Sequence, residues 1–187
     1  RLPGFRLSPR GHQMAQRVAD WLGGRLDRPR AELTAVIASP LVRAQQTALH
    51  IAAEFGLDVE TDARLIEAGN RYEGLTYGFG DGAMFHPRQW RYLGNPFQPS
   101  WGEPYVQIAQ RMRAAVCAAV DDAVGETLLV THQLPIWILR RSLEGRRLWH
   151  NPRNRQCAIA SITTLYFEGD TFSHLTYAEP AADLVAG

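Results

Sequence analysis

The stretch Ser39-Pro40-Leu41-Val42-Arg43-Ala44-Gln45-Gln46-Thr47-Ala48 decides how this chain folds, because it joins an apolar run at 35–38 to the start of a helix. The apolar run predicts a short buried strand. Ser39 is expected to cap the helix, and Pro40 to occupy its first position. Arg43 then lies in the first turn, where free backbone N–H groups and the helix dipole favour an anion and a guanidinium can bind two phosphate oxygens. The alternative for one helix-terminal arginine is a surface ion pair, which is the commoner case.

A second segment, Thr127-Leu128-Leu129-Val130-Thr131-His132-Gln133-Leu134-Pro135, has the same order of strand and helix. Its apolar residues predict a fully buried strand, and the apolar spacing beyond it predicts a helix that ends at Gly145. His132 stands at the C-terminal end of the strand, which is where ligands bind in open α/β sheets. A buried structural histidine is the alternative. Two phosphate-competent side chains at two strand ends favour a shared phosphate site.

Other motifs stand before and between these two segments. They are Leu7-Ser8-x-x-Gly11-x-Gln13 and the triplet Leu65-Ile66-Glu67 ahead of Tyr72-Glu73-Gly74. Together with the Ser39 segment and His132, in this order from Leu2 to about Phe167, the chain resembles the histidine phosphatase superfamily, which has the phosphoglycerate mutase-like fold. The resemblance implies a three-layer α/β/α sandwich with a mostly parallel central sheet.

One element of that family has no counterpart here. The family's nucleophilic histidine lies in an Arg-His-Gly triplet at the end of its first strand, upstream of the Leu-Ser segment, whereas only six residues precede Leu7 and the first is Arg1 rather than methionine. We therefore expect an upstream segment that supplies the nucleophile and a central strand, and a gap in the sheet beside the His132 strand. The chain as given is then expected to be inactive. Arg10-Gly11-His12 is no substitute, because His12 falls in the first turns of a helix and is expected to be solvated.

The resemblance assigns a role to each candidate residue. It implies that Arg43 clamps the oxygens of the transferring phosphoryl group and that His132 donates a hydrogen bond to it. Glu67 matches the proton donor to the leaving oxygen, a duty that a raised pKa suits, and Glu73 is the competing carboxylate. Gln133 stands where the family has glycine, so its backbone N–H is expected to point at phosphate with less room around it.

The implied activity is that of a metal-independent phosphomonoester hydrolase that acts through a phosphohistidine intermediate, without a cofactor, on a small phosphorylated substrate. The alternatives are a bisphosphoglycerate-dependent mutase and a non-catalytic pseudoenzyme that binds phosphorylated ligands. The Trp-Arg-Arg element of the mutases corresponds here to Trp90-Arg91-Tyr92, which favours the phosphatase. A serine hydrolase is disfavoured because the sequence contains no Gly-x-Ser-x-Gly elbow.

Composition limits the classes of partner. The 187 residues are 45% apolar and 21% charged, which is ordinary for one globular domain over 1–187, and the net charge is only +1. This charge argues against nucleic acid or an anionic membrane as a partner, and a homodimer is compatible with it. All twenty basic residues are arginine, which excludes lysine Schiff-base chemistry and suits phosphate recognition. A GC-rich genome explains the arginine excess equally well.

The cysteines indicate the compartment. Cys117 and Cys157 lie forty positions apart without a paired-cysteine motif, so they are predicted to be reduced core residues of a cytoplasmic protein. The longest uncharged apolar run, 114–120, is too short to span a membrane.

The remaining pattern alternates helices and strands. Helices are predicted over about Pro9 to Leu22 and about Glu103 to Asp122, the second with Val106 on its buried face. Two strands, at 158–167 and 171–177, are predicted to form a hairpin. Between Glu67 and Glu103 the sequence is rich in glycine, proline and aromatic residues, which predicts an active-site lid or binding loop at about 67–103.

Overall fold

The computed structural model describes residues 4–26, 30–69, 102–121 and 125–185. The predicted lid lies almost wholly outside these residues, as do Tyr72-Glu73-Gly74 and Trp90-Arg91-Tyr92. The structure therefore does not test the predictions made for them. The helices and strands are α1 Pro9–Leu22, β1 Leu33–Ala38, α2 Val42–Phe55, β2 Val59–Thr61, α3 Tyr105–Asp121, β3 Glu126–Val130, α4 Gln133–Leu143, β4 Ile162–Glu168 and β5 Thr171–Ala178, with short 3-10 turns at Ala63–Leu65, Pro152–Asn154 and Ala182–Leu184.

The central sheet is parallel, with strand order β2-β1-β3. Ala38 at the end of β1 is in register with Thr61 of β2 on one side and with Val130 of β3 on the other. All three strands therefore end at the same edge of the sheet. β4 and β5 form the predicted antiparallel hairpin, which makes a separate sheet of two strands.

The sheet is covered by helices on both faces. Val36 and Ala38 pack on the side of α2, and Leu128 of β3 contacts the same side, which α1 also covers. Ile37 and Leu129 point the opposite way, into the cluster that α3 and α4 form. This alternation follows from the two-residue period of a strand. It produces the three-layer α/β/α arrangement that the sequence predicts.

A groove of about 1010 Å³ separates the outer edge of β3 from β4. Among the described strands, β1 alone pairs with β3, so no described strand pairs with the other edge of β3. Thr127 to Val130 are only half-buried, and the prediction of a fully buried strand is therefore wrong. The groove lies along this edge of β3, and the predicted absence of a strand there stays a prediction.

Several local predictions are also corrected. α2 begins at Val42, so Ser39 and Pro40 precede the helix and Ser39 does not cap it. The side chain of His12 is half-buried, and its Nδ1 lies 3.0 Å from Nε2 of His50, because α1 packs directly against α2. A solvated His12 is therefore not observed.

The outer face of α3 carries two residues that the sequence predicts to be buried. Val106 is 57% exposed, and Cys117 is exposed as well. The residues that this helix does bury include Ile108, Met112 and Val116. Among the described residues, no helix is both long enough and apolar enough to cross a bilayer.

Candidate active site

The candidate residues follow the three parallel strands, at the edge where those strands end. Arg43 lies in the first turn of α2 after β1, and Glu67 lies just beyond the 3-10 turn that follows β2. His132 and Gln133 form the junction between β3 and α4. All four residues line the groove described above. The structure therefore places the four predicted site residues along one groove, with Nδ1 of His132 3.8 Å from Oε2 of Glu67.

His132 is buried, with 7% of its surface exposed, and both of its ring nitrogens face polar side chains. Nε2 lies 2.8 Å from the hydroxyl Oγ of Ser39. Nδ1 lies 3.8 Å from Oε2 of Glu67, which is beyond hydrogen-bond length. An acceptor such as a phosphoryl oxygen is therefore needed to engage Nδ1 fully.

The electrostatic surroundings keep the imidazole of His132 neutral. Burial, followed by the positive charges of Arg43 and Arg111, lowers the pKa of His132 to about 4. At neutral pH the ring has one N–H donor and one bare nitrogen. His132 can therefore donate a hydrogen bond without holding a full charge in the site.

The pKa of Glu67 is shifted in the direction that a general acid requires. Burial raises the pKa of its carboxyl group, opposed by the backbone N–H of Ala68, which donates to Oε1 at 2.9 Å, and by the charges of Arg43 and Arg111. Desolvation disfavours the carboxylate, so the protonated acid persists to a higher pH than in a solvated glutamate. Such a group can give a proton and later take one back.

Arg43 is half-buried and acts electrostatically on both neighbours. Within the described part of the chain, its guanidinium forms no ion pair with a carboxylate. The alternative of a surface ion pair is therefore not observed. An unneutralised arginine at a helix N-terminus is well suited to bind an anion.

Contacts around the site hold its parts in place. The hydroxyl of Thr131 donates to the backbone oxygen of Leu65 at 2.6 Å, which ties the end of β3 to the segment that carries Glu67. The side-chain amide of Gln133 donates to the backbone oxygen of Cys157 at 2.5 Å. This contact occupies the Gln133 amide, so the backbone N–H at the start of α4 is the group of Gln133 suited to bind phosphate.

Metal binding by clustered side chains finds no support in the described ranges. They contain no group of three or more histidine, cysteine, aspartate or glutamate side chains that could hold a metal ion.

Comparison with known proteins identifies the family. The model of the histidine phosphatase superfamily (branch 1) matches residues 1–180. The chain belongs to the histidine phosphatase superfamily. The resemblance read from the sequence motifs and the expected fold class are both confirmed.

Individual members of the superfamily are similar over most of the chain. An uncharacterized protein of Mycobacterium tuberculosis, Rv0525, is 54% identical over 183 residues, which cover 97% of this chain and 88% of that protein. The structure of YhfR from Bacillus stearothermophilus has a TM-score of 0.72 and 27% identity, and covers 92% of this chain and 86% of its own. The mycobacterial glucosyl-3-phosphoglycerate phosphatase Rv2419c with VO3 has a TM-score of 0.68 and 25% identity, and covers 95% and 88%.

Sequence reasoning missed one member of this histidine phosphatase site, Ser39, whose hydroxyl contacts His132. The position of Ser39 in the sequence indicates that its side chain lies at the site. Ser39 is the first residue after β1, as Thr131 is the first after β3, and polar residues directly beyond parallel strands meet at the same edge of the sheet.

Proposed function

We propose that this protein is a metal-independent phosphomonoester hydrolase that acts through a phosphohistidine intermediate. The observation that carries the proposal is one constellation at the end of the groove: an unneutralised Arg43, a neutral and buried His132, and a Glu67 whose pKa is raised. Each of these states suits a transition state whose negative charge is spread over three phosphoryl oxygens and whose leaving oxygen needs a proton. Membership of a superfamily of phosphatases and mutases supports the same reaction class.

Each side chain has a distinct task in the proposed mechanism. Arg43 binds two phosphoryl oxygens, and Nδ1–H of His132 donates to the phosphoryl group as its charge spreads over the equatorial oxygens. Glu67 in its acid form protonates the leaving oxygen of the substrate. After the alcohol departs, the Glu67 carboxylate takes a proton from the water that attacks phosphorus and releases the phosphoryl group from the enzyme.

The attacking histidine in this proposal is carried by a strand outside residues 1–187 that occupies the groove between β3 and β4. The edge of β3 with which no described strand pairs and the volume of the groove support a strand in that place. A strand parallel to β3 would end beside His132. In-line transfer requires its last residues to face the phosphoryl group from the side opposite the leaving oxygen.

A phosphatase is favoured over a mutase. The Trp90-Arg91-Tyr92 sequence lacks the second arginine of the mutase element. A structural relative at 25% identity is a glucosyl-3-phosphoglycerate phosphatase, which supports a small phosphorylated metabolite as the substrate. Free thiols at Cys117 and Cys157 support a cytoplasmic location.

The test compares residues 1–187 with the full-length product of the natural gene, using p-nitrophenyl phosphate as substrate. We expect turnover from the full-length protein alone, unchanged by EDTA, with an acid-labile phosphoryl group trapped on histidine. Arg43→Ala should reduce turnover about 10²–10³-fold, as loss of a preorganised charge partner does, whereas Arg153→Ala on an exposed turn serves as the matched control.

Three outcomes would contradict the proposal. Equal turnover by the two proteins would move the nucleophile into residues 1–187, with His132 as the first suspect. Binding of phosphate without turnover by the full-length protein would make it a pseudoenzyme. Efficient interconversion of the two monophosphoglycerates would make it a mutase.

A further inference from the structure

We infer that Ser39 is a positioning residue that holds His132 in the tautomer protonated at Nδ1. The inference about the tautomer rests on the hydrogen-bond geometry around a ring that burial keeps neutral. Its consequence for turnover rests on the proposed function, in which Nδ1–H is the donor to the phosphoryl group.

The pairing of β1 with β3 places the Ser39 hydroxyl beside the imidazole of His132. The backbone N–H of Ser39 donates to the backbone oxygen of Val130 at 2.9 Å, which extends the pairing of β1 with β3 by one residue. His132 lies two residues beyond Val130, as the residue that precedes α4. Ser39 Oγ and His132 Nε2 therefore meet at 2.8 Å, although 93 positions separate them in the sequence.

The direction of this hydrogen bond follows from counting donors and acceptors. The Ser39 hydroxyl has one hydrogen and two lone pairs, and its oxygen accepts a long hydrogen bond of 3.4 Å from the backbone N–H of Leu41. In the described part of the chain, its hydrogen has one acceptor within reach, Nε2 of His132. If Nε2 carried the proton instead, the hydroxyl hydrogen would lie unpaired in a residue with no exposed surface. Buried donors without partners are strongly disfavoured.

The surroundings of Nδ1, the other ring nitrogen of His132, are consistent with this direction of the hydrogen bond. With Nε2 as the acceptor, the ring proton of neutral His132 lies on Nδ1, which faces Glu67 at 3.8 Å. No described group completes a hydrogen bond to Nδ1, so this N–H is available to a ligand. Because burial keeps the ring neutral, the tautomer and not the charge decides which nitrogen donates.

His150 supplies an internal reference. Its Nδ1 lies 2.9 Å from the backbone oxygen of Leu148, which can only accept, and its Nε2 lies 2.8 Å from Nε of Arg155, which can only donate. His150 is therefore protonated at Nδ1 through partners unrelated to Ser39. A change that affects His132 through Ser39 should leave the His150 signals in place.

The test is ¹⁵N NMR of the histidine rings in the full-length natural protein at neutral pH, with His132 assigned by its loss in His132→Asn. We expect Nδ1–H at His132 in the unchanged protein and a shift towards Nε2–H in Ser39→Ala. Ser142→Ala is the matched control, because Ser142 Oγ accepts from Arg113 on another face of the molecule. Nε2–H at His132 in the unchanged protein, or an identical tautomer in Ser39→Ala, would overturn the inference.

A kinetic measurement then separates this inference from the proposed function. Loss of the correct donor in Ser39→Ala should lower kcat for p-nitrophenyl phosphate about tenfold with little change in KM, the scale of one neutral hydrogen bond. Ser39→Cys keeps a weak donor of similar size and should recover part of the loss. The expected NMR shift in a protein without phosphatase activity would uphold the tautomer and reject the proposed function. The NMR shift with unchanged kcat would reject the positioning role.

Discussion

His132 and His150 are equally buried, but their surroundings differ. His132 and His150 are each 7% exposed, and burial is the main cause that lowers the pKa of both. The ring of His150 packs 5.5 Å from that of Tyr105 and 6.0 Å from that of Trp137, between centroids. The ring of His132 instead lines the groove beside the sheet.

The difference lies in how the ring nitrogens are satisfied. Both nitrogens of His150 have partners from the chain at normal hydrogen-bond length, a backbone oxygen and an arginine N–H. His132 has one such partner, Ser39, while Nδ1 faces a carboxyl group at 3.8 Å with the charge of Arg43 nearby. Burial and a lowered pKa therefore do not identify a functional histidine by themselves. His132 differs from His150 in having a donor available beside the charge of Arg43, which favours a functional role.

The largest expected effect comes from Glu67, a carboxyl neighbour of His132 that has no counterpart beside His150 in the described part of the chain. Glu67→Gln should lower phosphatase activity of the full-length protein about 10²–10⁴-fold, the usual contribution of a general acid. Because burial raises the pKa of Glu67, its ionised form is disfavoured in the folded protein, and stability is lost as pH rises through the folded pKa. Urea unfolding at pH 8 should therefore show Glu67→Gln to be more stable than the unchanged protein.

The control for that prediction is Glu54→Gln. Glu54 also has a mostly buried side chain, but it pairs with Arg25 and Arg30 away from the site. This substitution should leave turnover unchanged and should not stabilise the protein at pH 8. Similar activity losses in the two variants would show that the effect of Glu67 is structural.

Replacing each histidine tests the comparison directly. His132→Asn should lower kcat about 10²–10³-fold, as removal of a preorganised donor to a transition state does. His150→Asn should leave kcat nearly unchanged and cost about 1–3 kcal/mol of unfolding free energy, because Arg155 and Leu148 lose a buried partner. An equal loss of kcat in His150→Asn would remove the distinction between the two regions.

The pH dependence of stability should also depend on His132. Its folded pKa of about 4 lies below the ordinary value of 6.5, so the unfolded chain binds more protons between these values and stability falls as pH drops from 6.5 to 4. Integrated over that window, the loss is about 3 kcal/mol. Urea unfolding at pH 4.5 and pH 7 should show a smaller difference in His132→Asn than in the unchanged protein. Identical differences would mean that the ring is not held neutral.

The smallest expected effect concerns His150, the second histidine of the comparison. Arg155→Ala removes the N–H donor to His150 and one of the charges that lower its pKa, so the pKa of His150 should rise. The stability cost should be about 0.5–1.5 kcal/mol, the value of one hydrogen bond, without a change in kcat. NMR titration of both rings checks this, since the pKa of His132 should stay where it is.

Much of the fold follows from local patterns. The apolar run before Ser39, the spacing in α1 and the glycines that end helices predict elements that the structure contains, and Gly56 ends α2 with a φ of 67°. The placement of Arg43 and His132 after buried strands follows from the same local patterns, whereas Glu67 was identified from the resemblance to the family, because no local pattern predicted β2. Residues directly beyond parallel strands meet at one edge whatever the loops between them do.

Other features depend on contacts between distant parts of the chain. The exposed face of α3 at Cys117 and the contact of His12 with His50 depend on which helix packs where. The half-buried state of β3 depends on what lies beside it rather than on its own apolar residues. Helical and strand periodicity predict that one face of the element is buried, but they do not predict how wide that face is or what covers it.

By itself, then, the sequence determined the order of most helices and strands, because steric preferences and hydrophobic period act over a few residues. Its motifs, through their resemblance to the histidine phosphatase superfamily, implied the parallel sheet and the candidate residues Arg43, Glu67 and His132. Only the tertiary structure decided that Ser39 contacts His132 and that Nδ1 of the ring stays available. That contact is set by the register of β1 against β3, which aligns Ala38 with Val130 across a long separation in the chain. Register is a property of the assembled sheet, and no local pattern specifies it to the precision that a hydrogen bond requires.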